Sequence, residues 1–64
     1  MEIKKVNPPD LAAWINIGNA NSDITLAKSS YEKKDYVDCC MWIDMAIVES
    51  MNAYARIKKD NNIQ

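Results

Sequence analysis

Small side chains recur every seven residues along both halves of the chain. This set, the small ladder, comprises Ala13, Ala20, Ala27, Cys39, Ala46 and Ala53. Larger residues repeat with the same period four positions further on, and this large ladder comprises Ile17, Ile24, Tyr31, Ile43, Ser50 and Ile57. Alternating steps of four and three residues are typical of one α-helix packed against another. The pattern therefore predicts an all-α fold.

Start and stop signals predict two helices within one domain. Asn7 is a suitable cap for a first helix, and Pro8 fits its first position, where a missing N–H costs little. Asp35 is a suitable cap for a second helix. The predicted order is an extended arm (1–7), helix 1 (8–31), a turn (32–35), helix 2 (36–58) and a tail (59–64).

An antiparallel hairpin around this turn pairs both ladders in one register. Small residues then face small residues: Ala27 with Cys39, Ala20 with Ala46, and Ala13 with Ala53. The remaining layers are mostly large on both sides: Tyr31 with Tyr36, Ile24 with Ile43, and Ile17 with Ser50. Because one register satisfies every layer, the sequence predicts a two-helix hairpin. Gly18 and its polar neighbours are poor helix formers, so two interpretations stay open: a continuous helix 1, and a break near Ser22.

The hairpin carries more apolar residues than one helix pair can bury. A chain of 64 residues folding alone buries only about 60% of its unfolded surface. Its only cysteines are the neighbours Cys39 and Cys40, so a structural disulfide is not expected. A second copy would supply the missing burial. We therefore expect a homodimer that forms a four-helix bundle; the alternative is that the surplus apolar stripe docks another protein.

Four large side chains are the candidates for binding another protein. Trp is enriched in protein–protein hot spots, and Met surfaces adapt to different partners. The candidates are Trp42, Met45, Met41 and Trp14. Packing in the hairpin or dimer core is the competing interpretation for each of them.

Reactive chemistry is not indicated by the remaining polar residues. With no histidine, the usual zinc and di-iron ligand spacings are missing, and we predict neither metal nor cofactor. No nucleophile–base pair or phosphate-binding loop is present, so we predict that the chain is not an enzyme. The helix 2 carboxylates, including Glu49, are predicted to be solvated surface. The polar band of helix 1 leaves two interpretations open, a contact surface and an ordinary solvated face; its members are Asn16, Asn19, Asn21, Ser22 and Asp23.

The charge balance favours no particular polyanion. Eight basic and nine acidic residues give a net charge of −1. One basic cluster, a possible nucleic-acid contact, is nevertheless predicted at the open end of the hairpin: Lys4, Lys5, Arg56, Lys58 and Lys59. No segment has the roughly 20 apolar residues of a membrane span, and unpaired thiols suit a reducing compartment, so we expect a cytoplasmic protein.

The two ladders, over residues 11–57, give the chain a resemblance to the Rop family. That resemblance implies a dimeric four-helix bundle and RNA binding. The size and plan also resemble small early-region accessory proteins of lambda-like temperate phages, which implies a regulatory role. From these observations we expect a small non-catalytic adaptor or regulatory modulator that binds another protein as a dimer. The alternative is a Rop-like nucleic-acid-binding bundle, and steep salt dependence of binding would distinguish it.

Overall fold

The computed structural model describes residues 11–63, and these form two helices packed against each other. Helix α1 spans Leu11–Glu32 and helix α2 spans Tyr36–Asp60. Near the turn, the ring centroids of Tyr31 and Tyr36 lie 5.7 Å apart. Far from the turn, Asn16 hydrogen-bonds to Glu49, so the helices run antiparallel. The all-α hairpin is therefore confirmed, whereas the predicted caps Asn7 and Pro8 lie outside the described residues.

A three-residue connection ends α1 and starts α2. Lys34 adopts a left-handed conformation with φ of 65°. Its N–H donates to the Tyr31 carbonyl at 2.9 Å, and the Asp35 N–H donates to the Ser30 carbonyl at 2.9 Å. These two bonds make a Schellman motif, which satisfies carbonyls that the end of a helix leaves unpaired. Asp35 then caps α2, because its Oδ1 accepts from the Asp38 N–H at 3.2 Å.

The end of α2 repeats the same motif. Asn62 is left-handed with φ of 54°, and the Ile63 N–H donates to the Lys58 carbonyl at 2.9 Å. Asn61 also donates from its side chain to the Ile57 carbonyl at 2.9 Å. Helix α2 consequently reaches Asp60, two residues beyond the predicted end, and part of the predicted tail serves as its cap.

Helix α1 passes through Gly18 without a break. A Cβ atom added at Gly18 would have no heavy atom within 4 Å, so this glycine does not serve a close helix–helix contact. Its cost to helix stability is about 1 kcal/mol relative to alanine. Packing of α1 against α2 therefore holds this weak stretch in helical form. Neither helix in the described part of the chain is long and apolar enough to span a membrane.

Within residues 11–63, every buried apolar side chain belongs to the small ladder. Ala13, Ala27, Cys39, Ala46 and Ala53 are all buried. The large ladder is different: Ile17 and Ile24 each remain 52% exposed, and Ile43 remains 41% exposed. Small side chains let the two helix backbones approach closely, so their larger neighbours lie to one side instead of between the helices. The pairing of the sequence implied that the two ladders are equivalent layers of one core. In the structure they are not equivalent, because the large ladder lies beside the core.

Candidate interaction surfaces

The large ladder and its neighbours cover one side of the hairpin. We call this side the apolar face; its centre is Ile17, Ile24, Tyr31, Tyr36, Ile43 and Ile57, and its rim is Trp14, Ile47 and Tyr54. Every one of these side chains is exposed by more than a third. Ser50 is the one interruption in the α2 row of the ladder. In a structure of two helices, nothing within residues 11–63 packs over this face.

The opposite side of the small ladder is polar. We call it the polar face; it is formed by Asn16, Asn19, Asp23 and Ser30 on α1, and by Trp42, Glu49 and Arg56 on α2. Most of these positions immediately precede a large-ladder residue, so they flank the small ladder on its other side. The hydrogen bond between Asn16 and Glu49 shows that the two helices bring this side together.

Glu49 links the two helices across the polar face. Its Oε1 accepts from Asn16 Nδ2 at 2.6 Å, and its Oε2 accepts from Asn19 Nδ2 at 3.4 Å. The shorter of these is a hydrogen bond to an ionised acceptor, the stronger kind. Asn16 Oδ1 is buried and has no hydrogen-bond partner within the described residues. Each of the two amides therefore donates an N–H to Glu49, while the buried Asn16 Oδ1 remains an acceptor without a donor.

Asp23 is the unexpected member of the polar face. It is only 7% exposed, and its Oδ2 has no hydrogen-bond partner within residues 11–63. Of the two interpretations of the polar band, an ordinary solvated face therefore does not hold for Asp23. Asn16 and Glu49 are half-buried, so Glu49 is less solvated than predicted. Close packing of the small ladder draws these neighbours into the groove between the helices. A sequence signal did exist, because Asn16, Asp23 and Ser30 share the seven-residue spacing.

The hairpin register places Trp42 opposite Asp23. The Asn16–Glu49 bond fixes that register, and one seven-residue step on each antiparallel helix leads from Asn16 to Asp23 and from Glu49 to Trp42. Trp42 is half-buried, whereas Trp14 is 71% exposed. The indole of Trp42 thus lies at the level of the buried carboxylate.

The four candidate protein-binding residues do not form one site. On α2, Met45 lies three residues after Trp42 and four residues after Met41. Because residues at these spacings are neighbours on a helix surface, the three lie along one flank of the helix. Trp14 belongs to the rim of the apolar face, near the start of α1. It stands opposite residues near Ala53 in the register, which is about 15 Å along the axis from Trp42.

The predicted basic cluster is described only in part. Lys4 and Lys5 lie outside the described residues. Arg56 and Lys59 line a shallow depression together with Asn52, Ala55 and Asp60. Lys58 donates from Nζ to the Tyr54 hydroxyl at 3.3 Å, and the same Nζ lies 5.0 Å from the Tyr54 ring centroid. The three described cations therefore share their end of the hairpin with an acidic residue and an aromatic ring.

The reactive groups of the described residues are dispersed. No group of three or more His, Cys, Asp or Glu side chains within residues 11–63 is placed to hold a metal ion. Cys39 is buried in the small ladder and Cys40 is exposed, and both are free thiols. The candidate interaction surfaces are therefore the two faces of the hairpin, one apolar and one rich in hydrogen-bond acceptors.

Comparisons with protein-family models, with curated proteins and with solved structures find no match for this chain.

Proposed function

We propose that this chain is a non-catalytic protein-binding module that works as a homodimer, in the role of a small adaptor or regulatory modulator. The carrying observation is the division of the hairpin into two unlike faces. The apolar face would associate with a second copy, and the polar face with its Trp42 flank would bind another protein. Each face thereby receives a partner of matching chemistry.

The composition of the hairpin core supports the first step. The buried apolar side chains of residues 11–63 are four alanines and one cysteine, and no large side chain there is fully buried. Burial of an apolar group contributes roughly 25 cal/mol per Å², so a core of small side chains stabilises the fold only weakly. Nine of the eighteen large apolar side chains that residues 11–63 leave exposed lie on the apolar face.

The extent of the apolar face supports a second copy as its occupant. Trp14, Tyr31, Tyr36 and Tyr54 are each more than half exposed, and aromatic side chains of 150–250 Å² give these four about 500 Å² together. The isoleucines of the face add an area of similar order. The total approaches the roughly 800 Å² per partner of a standard interface and exceeds the patch typical of a monomer.

A twofold arrangement suits the shape of this surface. In such a dimer the same patch of both subunits meets, and a helical hairpin pairs with its copy as a four-helix bundle. The large ladders of two hairpins would then pack between the pairs, while the small ladders hold each hairpin together. The dimer would leave the polar face in solvent on both outer sides, with Trp42, Met41 and Met45 along its edge.

A soluble paramagnetic probe in NMR tests which face is covered. We expect the methyl groups of Ile17, Ile24 and Ile43 to be protected from relaxation enhancement. The methyl groups of Val37 and Val48 are the matched controls, since both valines are exposed away from the apolar face. Equal enhancement of both sets would show that the apolar face is open to solvent, and the proposed dimer would be rejected.

A further inference from the structure

We infer that the polar face binds an arginine side chain of the partner protein, with Asp23 as the residue that pairs with its guanidinium. This inference rests on the proposed function and names the chemistry by which the partner is recognised. Asp23 is more than nine-tenths buried, yet its Oδ2 lacks a hydrogen-bond donor within residues 11–63. A buried carboxylate without a donor is costly, and a partner that supplies one gains what the free protein lacks.

The surroundings of Asp23 also favour a donor as the missing group. Asn16 Oδ1, on the same face, is a second buried acceptor without a partner. The side-chain amides of Asn16 and Asn19 each donate an N–H to Glu49, and neither donates to Asp23 Oδ2. An occupant that only accepts hydrogen bonds would leave all these oxygens unsatisfied. The groove therefore selects a donor, and its two carboxylates favour a cationic one.

No cation of residues 11–63 donates to Asp23 Oδ2. Lys28 is the nearest along α1, but it is exposed and lies five residues on, about 140° around the helix from Asp23. Lys33 follows Asp23 by ten residues of α1 and its connection, which is about 15 Å. Arg56 follows Trp42 by four helical turns of α2, about 21 Å from the level of Asp23. Both distances exceed the reach of a side chain. The donor that completes the site must therefore come from elsewhere.

Trp42 makes arginine a better fit than lysine. The register places its indole at the level of Asp23, and a guanidinium stacks on an aromatic ring while it hydrogen-bonds to a carboxylate with two parallel N–H groups. A lysine ammonium is not planar and has no pair of parallel N–H groups. Asp23 and Trp42 would thus hold the same guanidinium from two sides, with the half-buried indole moving aside as it enters.

Binding of a capped arginine provides the test. The probe is N-acetyl-arginine amide, added to the full 64-residue chain labelled with ¹⁵N, and the signal is the Trp42 indole N–H. We expect a saturable shift with a dissociation constant on the order of 1–10 mM, the weak affinity of a single side chain. N-acetyl-citrulline amide, which has nearly the same shape without the charge, is the matched control and should leave the signal in place.

Two variants locate the site. Asp23→Asn should weaken arginine binding by about tenfold or more, the loss of one charge-assisted hydrogen bond. Asp44→Asn removes the same charge from an exposed position of α2 and should leave binding unchanged. Equal shifts with arginine and citrulline, or equal binding by Asp23→Asn and the wild type, would overturn the inference.

Further outcomes separate this inference from the proposed function. Light scattering on the same samples reports the dimer, so an intact dimer without arginine binding rejects the arginine site alone. A dimer that dissociates in Asp23→Asn would show that the second copy uses this carboxylate, which also rejects the inference. A double variant, Lys4→Ala with Lys5→Ala, should leave the Trp42 signal of the free protein unchanged; a shift would make the chain's own arm the occupant and overturn the inference.

Discussion

The two faces of the hairpin flank the same small ladder, yet they expose opposite chemistry. On the apolar face, Ile17 and Ile43 are about half exposed and have no polar group to pair. On the polar face, the Asp23 carboxyl group is buried, and its Oδ2 has no hydrogen-bond donor within residues 11–63. The apolar face exposes apolar side chains to water, whereas the polar face encloses a carboxyl group that would be more stable in water. The proposed partners would relieve both conditions, and they would be of different kinds.

This difference shows how close packing of alanines shapes a small protein. When helix backbones approach over small side chains, the flanking positions cannot enter the interface fully. Apolar residues there stay exposed to solvent, and polar residues there become partly enclosed. The same seven-residue repeat thereby generates both faces.

The largest expected effect comes from a charge at the centre of the apolar face. Ile43→Asp would place two carboxylates in the proposed dimer interface, and each buried unpaired charge costs several kcal/mol. We expect dissociation to monomers at micromolar concentration, an increase of at least about 1,000-fold in the dissociation constant. Sedimentation velocity measures it. Val48→Asp is the matched control on the outer side of α2 and should keep the mass of the dimer.

Enlarging the small ladder should have the next largest effect. Ala46 is 4% exposed, so Ala46→Leu would force the two helices apart and lower the free energy of unfolding by about 1–3 kcal/mol. Urea unfolding followed by circular dichroism measures the loss. The exposed Ala55 provides the control, since Ala55→Leu should change stability by less than about 0.5 kcal/mol. An unaltered midpoint for Ala46→Leu would contradict the close alanine contact.

Removing the buried charge should instead stabilise the protein. Asp23→Asn keeps the shape of the side chain and abolishes the cost of enclosing an unpaired carboxylate, so we expect a gain of about 1–2 kcal/mol. Thermal unfolding reports it, with a rise of about 4–8 °C per kcal/mol for a chain of this size. Asp44→Asn should unfold at the wild-type temperature. If Asp23→Asn unfolds earlier, the carboxylate is paired in solution and the contrast between the faces is lost.

The smallest effect concerns the bond that joins the helices across the polar face. Asn16→Ala and Glu49→Ala, singly and together, form a double-mutant cycle around the 2.6 Å hydrogen bond. We expect a coupling free energy of about 1 kcal/mol, measured from urea unfolding at low salt. A coupling near zero would place Glu49 in solvent and remove the evidence for the register that sets Trp42 opposite Asp23.

The hairpin was predictable because its signals are local or periodic. The seven-residue repeat of the small ladder within each helix indicates the helix–helix contact, and Asp35 is a cap that sequence rules identify. The ends of the helices were less accurate, since Lys34 and Asn62 adopt left-handed conformations that their residue types only permit. The capping of α2 by Asn61 and Asn62 could not be distinguished from a polar tail by composition.

The burial of individual polar residues was not predicted from the sequence. Aspartate is usually a surface residue, and the burial of Asp23 depends on how closely the alanines bring the helices together. The spacing of Asn16, Asp23 and Ser30 carried that information, but polar residues at helical spacing are more often solvated. The opposition of Trp42 and Asp23 depends in turn on the register, which the Asn16–Glu49 bond displays in three dimensions.

The most direct test of the account is the solution mass of the untagged protein, measured by light scattering over a dilution series. For the proposed homodimer we expect twice the chain mass of 7.3 kDa at micromolar concentration, with dissociation only on strong dilution. A constant mass of 7.3 kDa throughout the series would contradict it, because the apolar face would then stay uncovered.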